Sequence, residues 1–81
     1  MRVRVRLFAS LRESVGQGEV SVELPPDATA DDAWRHLCEA YPTLRPRRRS
    51  LAVAVNRRYA PFEAALEDGD ELVFIPPVAG G

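Results

Sequence analysis

Hydrophobic and polar residues alternate strictly at the start of the chain. Val3, Val5 and Leu7 are separated by arginines, and the next residue, Phe8, falls on the arginine side of the alternation. A period of two is typical of a strand with one buried side and one side facing solvent. The pattern therefore predicts a first strand with an aromatic ring, Phe8, on its outward face.

Further segments carry strand patterns. Residues 20–24 alternate apolar with polar side chains, and residues 51–55 alternate larger apolar residues with alanine. The turn-forming sequence Asp68-Gly69-Asp70 precedes a last strand over residues 71–75. Tyr59 lies in a short extended piece between the last two of these strands. The sequence therefore predicts four to five strands.

One segment, residues 29–41, has the period of a helix. Thr29 is predicted to cap it, with Asp32 in the position of a capping box. Pro42 ends the helix at Tyr41. The predicted apolar stripe consists of Ala30, Ala33, Trp34, Leu37, Ala40 and Tyr41. A shorter helical turn is predicted for residues 9–15.

The order of these elements is ββαβ(β)β, with strands at both ends. It predicts an α+β fold, in which a mixed sheet of four to five strands carries one main helix packed on one face. The last strand is apolar on both faces, which places it centrally, beside the first strand. A chain of 81 residues is expected to form one domain, spanning 1–81.

Composition excludes several classes of function. The formal net charge of −1 gives no overall field that favours nucleic acid, so we expect no nucleic-acid partner. No apolar run approaches the length of a membrane span, and no signal peptide precedes the first strand, so we expect a cytoplasmic protein without a membrane partner. The only cysteine, Cys38, and the only histidine, His36, cannot build a typical zinc site, so no metal is expected. We interpret Cys38 as a partly buried helix residue and His36 as an exposed one.

The candidate chemistry lies at the end of the sequence, Pro76-Pro77-Val78-Ala79-Gly80-Gly81. Glycine has no Cβ, so a diglycine end can enter a narrow slot and presents a sterically bare carboxylate. The two prolines hold the base of this segment extended and lower the entropy cost of ordering it. Six extended residues reach at most about 20 Å. We therefore interpret residues 76–81 as a flexible, reactive tail and the rest as its scaffold.

The chain resembles the small subunits of molybdopterin synthase, which are ubiquitin-like β-grasp sulfur carriers of the MoaD type. The resemblance is carried by Leu7-Phe8-Ala9-Ser10-Leu11-Arg12-Glu13 with Gly16, by Ala52-Val53-Ala54-Val55-Asn56, by Leu66 with Asp68-Gly69-Asp70-Glu71, and by Phe74-Ile75 followed by the six tail residues. A terminal diglycine alone is weakly specific, whereas the extended ending Asp-Gly-Asp-Glu to Pro-Pro-Val-Ala-Gly-Gly is specific. These stretches and the element order span nearly the whole chain.

The resemblance implies a cycle of acyl chemistry on Gly81. An ATP-dependent adenylyltransferase similar to ubiquitin-activating enzymes would form a Gly81 acyl-adenylate, and a sulfur donor protein would convert it to a thiocarboxylate. The tail, including Gly80, Ala79, Val78, Pro77 and Pro76, would then thread into the large synthase subunit. There it would donate sulfur to cyclic pyranopterin monophosphate, forming the dithiolene of molybdopterin. The family's synthase is a heterotetramer. The chain itself would bind no cofactor, ATP being used by the activating partner, and would not be an enzyme alone.

The resemblance also implies a face that docks these partners. Phe8, Tyr59 and Ile75 correspond to positions where the family keeps an apolar patch, and Arg12 matches a recurrent position that would contact a partner. The alternatives are that one or two of the apolar residues complete the core, and that Arg12 forms a local salt bridge. Arg4 and Arg6 flank Phe8 and are candidates for a polar rim.

Other functions stay open from the sequence. Related β-grasp carriers deliver sulfur for tRNA thiolation or thiamine, or are conjugated to proteins, and a β-grasp domain can also be a non-catalytic interaction module. The arginine run at residues 45–49 is interpreted as a solvated loop, with a steering patch for an acidic partner or RNA as the alternative.

Overall fold

The protein is described here by a computed structural model, which covers residues 1–77. A strand begins and ends this part of the chain, as the hydrophobic pattern predicts. In chain order the elements are β1 (Arg2–Leu7), α1 (Ala9–Val15), β2 (Glu19–Glu23), α2 (Ala30–Ala40), a 3-10 segment (Pro42–Ser50), β3 (Ala52–Val55), β4 (Arg58–Ala60) and β5 (Glu71–Ile75).

The strands form one mixed sheet in the order β2-β1-β5-β3-β4. The pairing of β1 with β5 is parallel, and the other pairings are antiparallel. β5 therefore lies at the centre, beside β1, as its two apolar faces predict. Because residue 76 directly follows β5, the chain leaves the sheet from its most enclosed strand.

One face of the sheet is covered by α2 and forms the core. Phe74 of β5 is fully buried and meets the edge of Trp34 at a centroid distance of 5.0 Å, with the ring of Phe62 stacked at 6.1 Å. Such aromatic pairs add about 0.5–1.5 kcal/mol beyond the apolar area that they bury. Leu7, Leu37 and Leu44 close the same core. The predicted α+β arrangement is confirmed.

The helix α2 begins as predicted and differs from the prediction at its end. The capping box is present, because the hydroxyl of Thr29 accepts from the amide of Asp32 while the Asp32 carboxylate accepts from the amide of Thr29. Cys38 is buried and Ala40 is exposed. The predictions of Ala40 in the apolar stripe and of Cys38 as only partly buried were therefore wrong. The helix ends at Ala40, and its last turn faces the core with Leu37 and Cys38, which leaves Ala40 on the solvent side.

The arginine-rich stretch after α2 is structured. Residues 42–50 form consecutive 3-10 turns rather than an open connection, and Leu44 is fully buried among them. Pro42 and Pro46 have no amide hydrogen to donate and therefore prevent one continuous α-helix through this stretch, which leaves short 3-10 turns. Burial of Leu44 against the core holds the segment in place.

None of the helices within residues 1–77 has the length and hydrophobicity needed to cross a bilayer.

Candidate partner-docking face

The face of the sheet that α2 leaves uncovered brings the predicted docking residues together. The register places Val73 between Arg6 and Ala54, and Ala54 opposite Tyr59. One step along, Ile75 pairs with Ala52. The apolar residues of this uncovered face, here called the outer patch, are Phe8, Ala52, Ala54, Tyr59, Val73 and Ile75.

Three members of the outer patch are the apolar docking residues predicted from the sequence. Phe8 is 46% exposed and Tyr59 78% exposed, and they are the exposed large hydrophobic residues of the described chain. Ile75 is half-buried at the end of β5. The two aromatic rings share one sheet face with Val73 and Ile75, and a shared exposed apolar face, unlike a single exposed ring, is a candidate contact surface. Phe8 and Tyr59 therefore do not complete the core of the isolated domain.

Arg12 lies apart from the centre of the outer patch. It is exposed on α1, and its guanidinium packs against Gly18, where an added Cβ would lie 3.5 Å from Nε of Arg12. Gly18 precedes β2, which pairs with β1 on the side away from β5. No carboxylate in residues 1–77 lies within ion-pair distance of Arg12. The alternative of a local salt bridge is thus not found, and its partner contact stays a prediction.

A charged cluster borders the outer patch at the start of β5. The carboxylate of Glu71 lies 3.8 Å from the guanidinium of Arg4, 4.0 Å from that of Arg6 and 3.7 Å from that of Arg57. The Glu71 side chain is only 12% exposed, whereas the Arg57 side chain is 83% exposed. Three positive charges therefore surround one negative charge. Arg6 also lies over the ring of Phe8, 5.5 Å from its centroid, a cation–π contact.

The turn between β3 and β4 positions Arg57 in this cluster. Asn56 and Arg57 both have positive φ, 51° and 69°, as in the two-residue hairpin turns that match the twist of a sheet. Asn56 fixes the turn to β5 by three bonds: its amide donates to the carbonyl of Glu71, its side-chain oxygen accepts from the amide of Glu71, and its side-chain nitrogen donates to Asp70. The turn is therefore held in one place.

The base of the tail lies next to the outer patch. Pro76, directly after Ile75, is half-buried, and Pro77 is exposed. The predicted roles of Val78, Ala79, Gly80 and Gly81 fall outside the described residues. The threading role of Pro76 and Pro77 and the reactive role of Gly81 stay predictions.

The arginine run after α2 is tied to the other side of the molecule. Arg47 donates to the hydroxyl of Ser10. Arg48 pairs with Asp31 at 2.9 Å and lies 3.4 Å from the centroid of the Phe62 ring. These two arginines therefore have structural partners. Arg45 and Arg49 are exposed, in keeping with the solvated interpretation.

The remaining candidates for a reactive or metal-binding role are Cys38 and His36, and the structure gives little support to either. Cys38 is a free, buried thiol whose burial raises its pKa, against a smaller opposing effect of the Arg45 guanidinium. A raised pKa disfavours the reactive thiolate. His36 is exposed. Within residues 1–77, no group of histidine, cysteine and carboxylate side chains is placed to hold a metal ion.

The docking face was only partly readable from the sequence. The alternation of β1 shows that Phe8, Arg4 and Arg6 face outward, and that of β5 pairs Val73 with Ile75. Sequence reasoning missed Glu71 and Arg57 as a cluster with Arg4 and Arg6, because residues far apart in sequence are brought together by strand pairing. The sequence offered one signal, the turn-forming residue Asn56 directly after a predicted strand.

Comparison with known proteins agrees with this architecture. The class is a ubiquitin-like β-grasp domain: the crystal structure of SAMP1 from Haloferax volcanii superposes with a TM-score of 0.88 at 34% identity, covering 100% of both chains. A ubiquitin from Caldiarchaeum subterraneum shares the fold, with a TM-score of 0.66, 21% identity and coverage of 100% of this chain and 98% of that one. The sequence profile of the ThiS family matches residues 5–81, and the chain belongs to this family.

Sequence relatives give the function at the level of the family. A molybdopterin synthase sulfur carrier subunit from Chlamydomonas reinhardtii is 35% identical, with 100% of each chain covered. The small archaeal modifier protein 1 of Haloferax volcanii is 37% identical, with 94% of this chain and 97% of the relative covered. The resemblance predicted from the sequence is confirmed. The family is one of sulfur carriers that includes molybdopterin synthase subunits.

Proposed function

We propose that this chain is the sulfur-carrier subunit of a molybdopterin synthase. The observation that carries the proposal is the exposed apolar sheet face beside the base of a tail that ends in diglycine. Full-length similarity to sulfur carrier subunits of molybdopterin synthase supports it. In the proposed cycle the scaffold docks a larger partner through the outer patch, and the tail carries Gly81 into that partner's active site.

The chemistry on Gly81 has three steps. In an ATP-using activating enzyme, a carboxylate oxygen of Gly81 attacks the α-phosphorus of ATP and pyrophosphate leaves. A sulfide equivalent from a sulfur donor protein then attacks the acyl carbon, AMP leaves, and a thiocarboxylate remains. In the large synthase subunit the thiocarboxylate sulfur attacks a carbon of cyclic pyranopterin monophosphate and displaces an oxygen substituent from it. Water then hydrolyses the resulting thioester, which leaves the sulfur on the pterin and returns Gly81 to the carboxylate. Two sulfurs are needed for each dithiolene. We propose a cytoplasmic setting for the cycle.

The geometry supports a division of labour between scaffold and tail. Docking uses Phe8, Tyr59 and Ile75, which lie on one sheet face. Because β5 ends at Ile75, the docked face and the start of the tail share one strand. A partner that binds the outer patch therefore receives the tail in a defined direction, and Pro76 and Pro77 reduce the entropy that threading costs.

Intact mass spectrometry tests the proposal. The purified chain is incubated with ATP, a sulfide source and the activating enzyme of its host. We expect a mass gain equal to one exchange of oxygen for sulfur. The gain should be absent in a variant that lacks Gly81, while that variant still binds the large subunit. Absence of the gain under conditions that charge an established carrier would overturn the proposal.

A second function, conjugation to other proteins, is favoured by one observation. The identity to small archaeal modifier protein 1, 37% over 94% of this chain, is close to the 35% over 100% of this chain found for a synthase subunit. Under this function, the activated Gly81 would pass to an amine of another protein rather than to a sulfur acceptor. Incubation with ATP, the activating enzyme and host extract would then give higher-mass covalent species that contain this chain and resist reducing agent.

A further inference from the structure

The charged cluster beside the outer patch has more positive charge than its own carboxylate can satisfy. The three distances from Glu71 to the arginines, 3.7–4.0 Å, exceed the roughly 2.7–3.2 Å of a hydrogen bond. Among residues 1–77, no hydrogen bond joins the Glu71 side chain to these guanidiniums. Guanidinium N–H groups of Arg4 and Arg57 therefore stay open to a further acceptor.

These same groups surround a depression. It has a volume of about 190 Å³ and is lined by Arg4, Asn56, Arg57 and Glu71. Its size suits a single side-chain head group rather than a larger ligand. Two of its four lining residues are arginines, whose planar, forked donors match a carboxylate.

The backbone at Arg57 is a second, independent observation. Its φ of 69° lies in the left-handed region, which glycine adopts freely and which is unfavourable for a residue with a Cβ. In two-residue hairpin turns with positive φ, glycine is the preferred residue at this second position. The chain places an arginine there instead, with its side chain 83% exposed and directed to Glu71. Strain of this kind is often retained where the side chain has a function.

We propose that this depression is a docking notch for a carboxylate side chain of the partner protein that covers the outer patch, with Arg4 and Arg57 as its donors and Glu71 as the residue that positions them. The proposal rests on the docking role of the outer patch in the proposed function. It adds the chemistry of that partner: an apolar centre, with an aspartate or glutamate at its edge facing the β3–β4 turn.

Other occupants fit less well. A second copy related by two-fold symmetry would bring the same arginine-rich cluster near its equivalent, which is unfavourable. A nucleic acid would supply anions, but the notch borders an apolar patch that includes half-buried Val73 and Ile75. An apolar core with a charged rim is the composition of a protein–protein interface.

Association kinetics with the large synthase subunit of the same host test the notch. The key variant is Arg57→Gly, which removes the guanidinium and suits the positive φ. We expect association at low ionic strength to slow by about three- to tenfold, since a rim charge acts chiefly on the association rate. The difference should vanish in about 1 M salt, where the screening length is about 3 Å. The urea midpoint should be unchanged or higher, so lost folding cannot explain lost binding.

Two control variants separate the notch from general charge. Arg49→Gln makes the same change in net charge on the 3-10 segment and should leave association within about twofold of wild type. Arg57→Lys keeps charge on the same backbone and should restore most of the association rate.

Neutralising the partner's carboxylates one at a time should reveal one whose effect is lost in Arg57→Gly, as in a double-mutant cycle.

The outcomes distinguish this proposal from the one it rests on. If the wild type binds the large subunit and Arg57→Gly associates at the wild-type rate at every salt concentration, the notch proposal is overturned. The proposed carrier function is then unaffected. Equal slowing by Arg49→Gln, or the lack of any coupled carboxylate, would overturn the notch proposal as well. Tight binding of a single-stranded oligonucleotide that Arg57→Gly abolishes would assign the notch to nucleic acid instead. If the wild type binds neither the large subunit nor the activating enzyme, both proposals fail.

Discussion

Leu7 and Phe8 are adjacent in the sequence and have opposite tasks. Leu7 points into the core and is 1% exposed, whereas Phe8 lies on the outer side and is 46% exposed. Phe8 is also the residue before α1, in extended conformation with φ −126° and ψ 159°. Its ring is therefore held at the junction of strand and helix by the backbone rather than by burial.

Replacement of each residue by aspartate separates these tasks. Phe8→Asp should weaken partner binding by at least about tenfold, since a charged group would replace an aromatic anchor at the interface, while the urea midpoint stays close to wild type. Leu7→Asp should prevent folding, because a carboxylate would be buried without a partner. Titration with the large subunit and urea unfolding followed by circular dichroism measure the two effects. Loss of folding in Phe8→Asp would instead place that ring in the core.

Cys38 gives a chemical readout of the folded state. Its side chain is 4% exposed, and burial raises the pKa of the thiol, so little thiolate is present and access is restricted. We expect alkylation by iodoacetamide at neutral pH to be slow in the native protein and fast in denaturant, with Cys38→Ser as the unreactive control. Rapid alkylation of the native protein would show that α2 opens readily.

At the scale of elements, α2 depends on its N-terminal cap. The reciprocal hydrogen bonds between Thr29 and Asp32 give acceptors to their two backbone amides, which have no carbonyl partner within the helix. Thr29→Ala should lower the free energy of unfolding by about 1 kcal/mol, measured by urea denaturation. Thr29→Ser keeps a hydroxyl and should retain most of that stability. An alanine variant as stable as wild type would mean that the cap contributes nothing.

The same cap makes the stability of the folded protein depend on pH. The hydrogen bond that the backbone amide of Thr29 donates to the Asp32 carboxylate is the main cause that lowers the pKa of Asp32 below 3.8. The hydrogen bond and the positive charge of Arg35 lower it further. Since the pKa is lower in the folded protein than in the unfolded chain, the carboxylate stabilises the fold above pH 3.8 and loses this effect as pH falls through its folded pKa. Asp32→Asn should therefore be less stable than wild type near neutral pH and should approach it at acidic pH. A constant difference would contradict the assignment.

Elements whose burial follows a local sequence pattern could be predicted, whereas elements that depend on tertiary packing could not. The apolar residues on both faces of β5 sufficed to predict its central place beside β1, because such a strand is expected inside a sheet, whereas the complete order β2-β1-β5-β3-β4 was not predicted. The end of α2 was misjudged because an alanine fits either edge of an apolar stripe, and the buried edge in the last turn is the side of Cys38 rather than that of Ala40. The 3-10 segment was missed since its order comes from tertiary burial of Leu44, which arginines and prolines surround in the sequence.

The candidate site likewise contains residues that one strand pattern predicts and residues that only the folded arrangement brings together. Outward-facing residues such as Phe8 and Arg6 follow from a period of two within one strand. The cluster of Arg4, Arg57 and Glu71 depends on three segments meeting, which one sequence without pairing information does not reveal. Local patterns therefore predicted the outward side of Phe8 and the shared side of Val73 and Ile75, and the family resemblance added Tyr59. The charged edge of the docking face required the register of the sheet.

At the scale of the whole molecule, the topology holds the base of the tail on the most enclosed strand. β5 pairs with β1 on one side and β3 on the other, its side chains Leu72 and Phe74 are fully buried, and the tail begins at the next residue. In the proposed function, a tail drawn into a partner would pull on this strand. A central strand resists such a pull better than an edge strand, because its ladders on both sides have to break together.

Native-state hydrogen exchange tests this anchoring. We expect the slowest amides in β1 and β5, with protection that approaches the global free energy of unfolding, since these adjacent inner strands carry the fully buried side chains Val3, Val5, Leu72 and Phe74. Amides of β4 should exchange fastest within the sheet, because it is a three-residue edge strand paired only to β3. Binding of the large subunit should add protection to β4 and its turn and leave β5 almost unchanged. Exchange in β5 of the free protein as fast as in β4 would contradict a rigid anchor. Faster exchange of β5 in the complex than in the free protein would show that the strand loosens when the tail is engaged.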